Sequence, residues 1–246
     1  MSRNGKVKWT DQSVHIKSNS DTTMTTRNGS CCEDPGKRQA ILDQAIHTFA
    51  EVGFGRADVQ VIADRAGVGK GTIYRYFKSK EDLFWGTTYD VLLRLERCLD
   101  EAAESAEGAC AKLRAAAAAH ARFFQANPEF LELTVQDRAE FHGSGPESHR
   151  EHHEKMIGKM CEILEQGIDA GEIRPVDPQQ TTIALGSLLY GAAILGCHLR
   201  SVDVQRMTEH GVDIFLRGIC REPSPNSESS GQVEIKDHER SIGQTA

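Results

Sequence analysis

Two glycines set two residues apart, Gly67 and Gly69, constrain this chain more than any other feature. Ahead of them, Val59, Ile62, Ala63 and Ala66 recur at i, i+3, i+4 and i+7, one face of a short helix from Val59 to Ala66. Asp58 precedes the run, where a carboxylate accepts the unpaired N–H groups of a first turn. Glycine takes the left-handed conformation that a tight turn needs, so Gly67-Val68-Gly69 ends the helix. A second short helix, Lys70 to Phe77, follows at once. Two short helices around so brief a turn have the spacing of a helix-turn-helix.

The chemistry of that unit suits a nucleic acid. From Arg65 to Lys80 stand five basic residues (Arg65, Lys70, Arg75, Lys78, Lys80) and no acidic one. Cations on a short helix neutralise phosphates. Thr72 offers a hydroxyl or a methyl to a base edge or phosphate, and Tyr74 and Tyr76 offer hydroxyls to phosphate oxygens. Gly71 leaves room for a duplex. The same letters also suit a solvated basic helix pair in an all-α protein.

The stretch ADVQVIADRAGVGKGTIYRYFKSKEDL resembles the DNA-binding domain of TetR-type (tetracycline-repressor-like) transcriptional regulators. The likeness spans about residues 36 to 84 and joins IAxxAGV, GTIYRYF and the KSKEDL helix start. It implies an all-helical dimer with three N-terminal helices on DNA and a variable C-terminal domain for ligand and dimerisation. Carried to matching positions, the family's DNA contacts fall on Gln60, Lys70, Gly71, Thr72, Tyr74, Arg75, Tyr76 and Lys80. Two positions depart from the family pattern. Gly69 replaces a common serine and weakens the cap of the third helix. Gln60 replaces a common arginine, which turns one contact toward base reading.

Charge is unevenly spread. The chain of 246 residues carries −7, which argues against a nonspecific polyanion binder. Residues 83–246 hold 16 basic and 26 acidic residues, so an acidic body stands behind a locally basic face and steers it. The seven cysteines (31, 32, 98, 110, 161, 197, 220) form no CxxC pair and no zinc spacing, and read as reduced cytosolic thiols. Redox sensing by Cys98, Cys110, Cys161 or Cys197 is the alternative. No apolar run is long enough to span a bilayer and no hydrophobic signal region opens the chain, so a cytoplasmic protein without a membrane partner is expected.

The remaining chain reads as helices. Residues 1–33 look like a disordered arm and 221–246 like a disordered tail. Residues 34–80 form the expected DNA-binding domain, with a first helix beginning at Asp34-Pro35 and ended by Gly53. Residues 81–220 form the ligand-binding and dimerisation domain, entered by a fourth helix that Ser79 caps. Later helices run over Ala109 to Ala126, Pro128 to Phe141, Glu147 to Ala170, Pro178 to about Arg200 and Asp203 to Cys220. Tyr89, Leu92, His120, Phe123, Phe124, Phe130 and Phe141 are candidate walls of an apolar pocket, or simply core.

The last two helices are too apolar for a monomer's surface and predict a two-fold interface through Leu185, Leu188, Leu189, Ala192, Leu195, Ile214 and Phe215. His149, His152 and His153 share a helix face; with His142 or Glu140 they could bind a metal, or form an ordinary solvated helix start. No catalytic fingerprint is present and no cofactor is expected. These features together predict a ligand-responsive, homodimeric repressor of a pseudo-palindromic duplex operator. A metal- or redox-sensing regulator and an activator without effector are the alternatives.

Overall fold

The computed structural model describes residues 34–141, 144–198 and 204–221, the side chains at 197, 198 and 204 excepted. The expected arm and tail, His142, Cys31, Cys32 and the thiol of Cys197 lie outside the described residues. The described residues form helices and no strand. The helices are α1 (Pro35–Val52), α2 (Val59–Arg65), α3 (Lys70–Tyr76), α4 (Lys80–Glu104), α5 (Ala109–Ala126), α6 (Pro128–Phe141), α7 (Glu147–Asp169), α8 (Pro178–His198) and α9 (Val204–Ile219). None is long and apolar enough to cross a membrane.

Local chemistry sets most of these limits. The Asp34 carboxylate accepts from Gly36 and Lys37 at the start of α1, and Asp58 accepts from Gln60 at the start of α2. Ser79 accepts from Asp82, and Glu81 and Asp82 stand in the first turn of α4, where the helix dipole favours acids. Gly69 supplies no side-chain cap for α3. Gly53 and Gly67 hold φ of 82° and 64°, the left-handed region that a side chain resists.

Two cores hold the fold. In the first, Ile41, Leu42, Ile46 and Phe49 of α1 meet Ile62 of α2, Ile73 of α3, and Leu83 and Phe84 of α4. Phe130, Leu131 and Leu133 of α6 belong to the same core, so the three N-terminal helices share apolar packing with the body. In the second, Leu113 of α5, Leu164 of α7, Leu185 and Leu189 of α8 and Leu216 of α9 surround Ile173. Gly167 lets α7 approach there, since a Cβ on it would stand 2.5 Å from that of Ala109.

One end of the body is tied by a long-range knot that changes the reading of two cysteines. Cys110 at the start of α5 and Cys220 after α9 form a disulfide, so these two are not the reduced thiols expected from sequence. Their separation of 110 residues hid the pairing, because only packing of α9 on α5 brings them together. Glu172 completes the knot. Its carboxylate accepts from Ala109 N at 2.7 Å and its carbonyl from Arg221 N at 2.7 Å. Cys98 and Cys161 are free.

Candidate DNA interface

Helix α3 is anchored by two inward side chains. Ile73 and Phe77 are buried at i and i+4, which turns Gly71, Tyr74 and Arg75 outward. Thr72 and Tyr76 are half-buried beside them. Nothing lies within 4 Å of a Cβ built on Gly71, so the helix offers open backbone at that point. Tyr74 is 44% exposed, and Lys78 is exposed one residue past the α3 C-cap.

Several of the expected contact residues also hold the head together. The Tyr76 hydroxyl accepts from Asp34 N at 3.0 Å and donates to the Asp34 carbonyl at 3.3 Å, which ties α3 to the start of α1. Lys80 donates to the Gly55 carbonyl at 3.1 Å, and its ammonium lies 4.8 Å from the centre of the Phe54 ring. Lys70 stands 3.6 Å from the Asp58 carboxylate. The Gln60 N–H, and then Lys70, hold the Asp58 carboxyl below its ordinary pKa, so it remains ionised as the cap of α2. Gln60 donates its amide to Asp64 at 2.8 Å. Arg75 stacks over Tyr76 at 5.4 Å.

Arg65 points elsewhere. It pairs with Glu51 at 2.8 Å and donates to Thr48 at 3.2 Å, so this basic residue braces α2 against α1. Arg38, which sequence reasoning passed over, lies 5.4 Å over the Phe77 ring, beside the end of α3. Its only signal in sequence was its charge in the first turns of α1.

The aromatic residues expected at a pocket separate into two groups. Phe123 stacks with Phe124 and Phe130 at 5.3 Å each, and His120 lies 4.9 Å from Phe124. Phe141 instead joins Trp85 at 4.6 Å, Phe54 at 4.9 Å and Phe84 at 5.3 Å. Leu92 is half-buried, and Tyr89 packs on His149 and His152.

The histidines at the start of α7 diverge. His149 Nε2 lies 2.9 Å from the Trp85 carbonyl and 3.2 Å from the Thr88 hydroxyl. His152 stands 3.0 Å from Glu96, while His153 and Glu140 are exposed. Among the described residues no three His, Cys, Asp or Glu side chains group to hold a metal.

His120 is the sharpest electrostatic feature of the body. Its Nδ1 is buried without a hydrogen-bond partner, and burial pulls its pKa down to about 4. An unfolded histidine titrates near 6.5. The unfolded chain therefore binds more protons between these values, so His120 costs nothing above about pH 6.5 and destabilises progressively as the pH falls toward 4. From about pH 7 to about pH 5 the expected loss is roughly 2 kcal/mol. A His120→Phe variant should lack that part of the loss when urea unfolding is compared at the two pH values. Equal losses in both proteins would contradict a buried neutral ring.

Of the expected interface residues, Leu185, Leu189 and Ala192 are buried within their own protomer, and Leu188 and Phe215 are half-buried. Leu195 and Ile214 are 47% and 59% exposed, and Ile183, which was not singled out, is 45% exposed. Gly186 and Gly191 of α8 have open space at their missing Cβ positions.

A basic helix-turn-helix head with α3 facing outward, carried on a helical body, defines a DNA-binding regulator. Known proteins match the same regions. Residues 41–85 match the bacterial regulatory proteins of the tetR family, and residues 106–193 match the tetracyclin repressor-like C-terminal domain. The fatty acid metabolism regulator protein of Bacillus subtilis is 32% identical over 145 residues, covering 56% of this chain and 71% of that protein. The transcriptional repressor KstR2 of Mycobacterium tuberculosis is 31% identical over 151 residues, covering 56% and 70%. A solved structure of the regulator FadR from B. subtilis in complex with stearoyl-CoA superposes with a TM-score of 0.64 at 22% identity, covering 74% of this chain and 98% of that one. The chain belongs to the TetR family of transcriptional regulators. That family works by binding DNA and not by catalysis.

Proposed function

We propose that the protein is a homodimeric repressor released from its operator by an acyl thioester. The observation that carries the DNA half is the outward face of α3, open at Gly71 and flanked by Thr72, Tyr74 and Arg75. Gln60, Lys70, Tyr76 and Lys80 complete the contact set, the last two also fixing the angle at which α3 is presented. The exposed Ile183, Leu195 and Ile214 of α8 and α9 would meet a second copy, with Gly186 and Gly191 allowing close helix approach. Two heads would then enter major grooves about 34–36 Å apart, or a multiple of that spacing.

The effector class is supported by relatives. A Bacillus subtilis relative is named for fatty acid metabolism, and a solved structure of a B. subtilis regulator of the same fold holds stearoyl-CoA. An acyl thioester fits a body with an apolar interior, and it must prefer the head spacing that does not bind DNA, since equal affinity for both spacings shifts nothing.

Footprinting on the gene's own promoter tests the DNA half. Wild-type dimer should protect a palindrome at low salt. Gly71→Glu should fold normally, because a Cβ there meets nothing, yet bind DNA roughly 100-fold more weakly, or about 3 kcal/mol. Undiminished protection by Gly71→Glu would place α3 off the duplex.

A further inference from the structure

Two cavities adjoin in the body, both lined by residues of α5 and α9. The first, about 300 Å³, lies between α5 and α9 with Arg114, Arg122 and Glu209 at its walls. The second, about 210 Å³, runs between α5, the start of α6 and α8, and none of the described residues that line it is charged. Phe124 and Leu189 supply its apolar surface. Ala121 and Thr208 line both cavities, so the charged end and the apolar end of this groove adjoin at these two residues.

The charged end is cationic on balance, within a body rich in acids. Arg122 is exposed and has no acidic partner among the described residues. Arg114 pairs with Asp213 at 3.1 Å, but its side chain is half exposed, and such a pair holds weakly against a competing anion. Among the described residues Glu209 is the one acid lining the cavity, and the Gln205 amide engages it at 2.8 Å. An amphiphile with an apolar chain and a multiply anionic head matches this gradient. A free fatty acid supplies one carboxylate, whereas coenzyme A supplies several phosphate charges for two guanidinium forks.

We infer that this groove, and not the aromatic interior around Phe141, receives the acyl-CoA, with its chain against Phe124 and Leu189 and its phosphates at Arg114 and Arg122. The inference rests on the acyl-thioester reading above. The groove is walled by α8 and α9, which also carry the exposed apolar residues offered for dimerisation. Filling it would therefore act on the helices that set the distance between the two heads.

Calorimetry on the full chain with palmitoyl-CoA, palmitate and coenzyme A separates the possibilities. Wild type should bind palmitoyl-CoA at least about tenfold more tightly than either fragment. Arg122→Glu and Arg114→Glu should each weaken palmitoyl-CoA about tenfold or more and leave palmitate unchanged. Ala121→Phe, which plugs the junction of the two cavities, should abolish palmitoyl-CoA binding; unchanged helical circular dichroism confirms that the variants fold. Palmitoyl-CoA binding that is equal in wild type and all three variants overturns the groove and leaves the acyl-thioester effector standing. Palmitate binding as tight as palmitoyl-CoA overturns the role of the arginines. A wild-type protein that binds no acyl-CoA overturns the effector and the groove together.

Discussion

Phe84→Ala should lose about 3–5 kcal/mol of stability, the range for emptying a large aromatic site in a packed core. Phe84 is fully buried, and its ring lies 5.2 Å from Phe49, 5.2 Å from Phe54, 5.7 Å from Trp85 and 5.3 Å from Phe141. Those rings come from α1, the turn after it, α4 and α6, so no single element can move in to fill the void. Edge-to-face contacts add to the lost area, since Phe49 and Phe54 meet Phe84 at interplanar angles of 80° and 69°. The cavity would open at the seam between head and body. In a chain of this size the midpoint of thermal unfolding should fall by roughly 10 °C, and urea unfolding should show the same loss. A loss under about 1 kcal/mol would mean that the rings are not packed as described.

Gln136→Leu should cost about 3 kcal/mol, although the side chain keeps nearly the same volume. Gln136 lies buried on α6 and reaches into the head. Its amide nitrogen donates to the Phe49 carbonyl at 2.9 Å, and its amide oxygen accepts from Phe54 N at 2.9 Å. The Phe49 carbonyl keeps a second donor in Gly53 N, so the N–H of Phe54 is the group left unpaired. That asymmetry makes the loss of the acceptor the costly part. The same bonds fix the turn after α1, against whose Gly55 carbonyl and Phe54 ring the Lys80 ammonium packs. Operator affinity measured below the unfolding temperature should therefore fall along with stability. A variant as stable as wild type would show that α6 does not hold the head through this residue.

A second linkage joins the same elements from the other side. Arg94 of α4 pairs with Asp43 of α1 and with Asp90 at 2.7 Å, while Gln39 of α1 donates to Asp90 at 3.2 Å. The Arg94 guanidinium also lies 5.8 Å from the centre of the Phe130 ring of α6. Thus α1 is gripped by α4 near its middle and by α6 at its end. A displacement of α4 or α6 by an effector would reach the DNA-binding head through α1 as a rigid element.

Much of the molecule was legible from the residues in order. Caps at Asp34, Asp58 and Ser79, the breaks at Gly53 and Gly67, and the apolar spacing of α1 and α2 act over a few residues, and all of them are in place. The outward position of Gly71, Tyr74 and Arg75 follows from the same local period, once Ile73 and Phe77 are taken as the buried pair. What tertiary packing alone decided is the assignment of partners. Arg65 looked like part of the DNA face and is spent on Glu51, and Tyr76 and Lys80 carry structural bonds that no spacing announces. Leu185, Leu189 and Ala192 share the composition of Leu195 and Ile214, yet the former pack inward and the latter face out. The pairing of Cys110 with Cys220 and the reach of Gln136 to Phe49 join residues 110 and 87 positions apart. Helix formation is a short-range equilibrium written in neighbouring residues, whereas these pairings exist only after hydrophobic burial has folded distant segments onto one another.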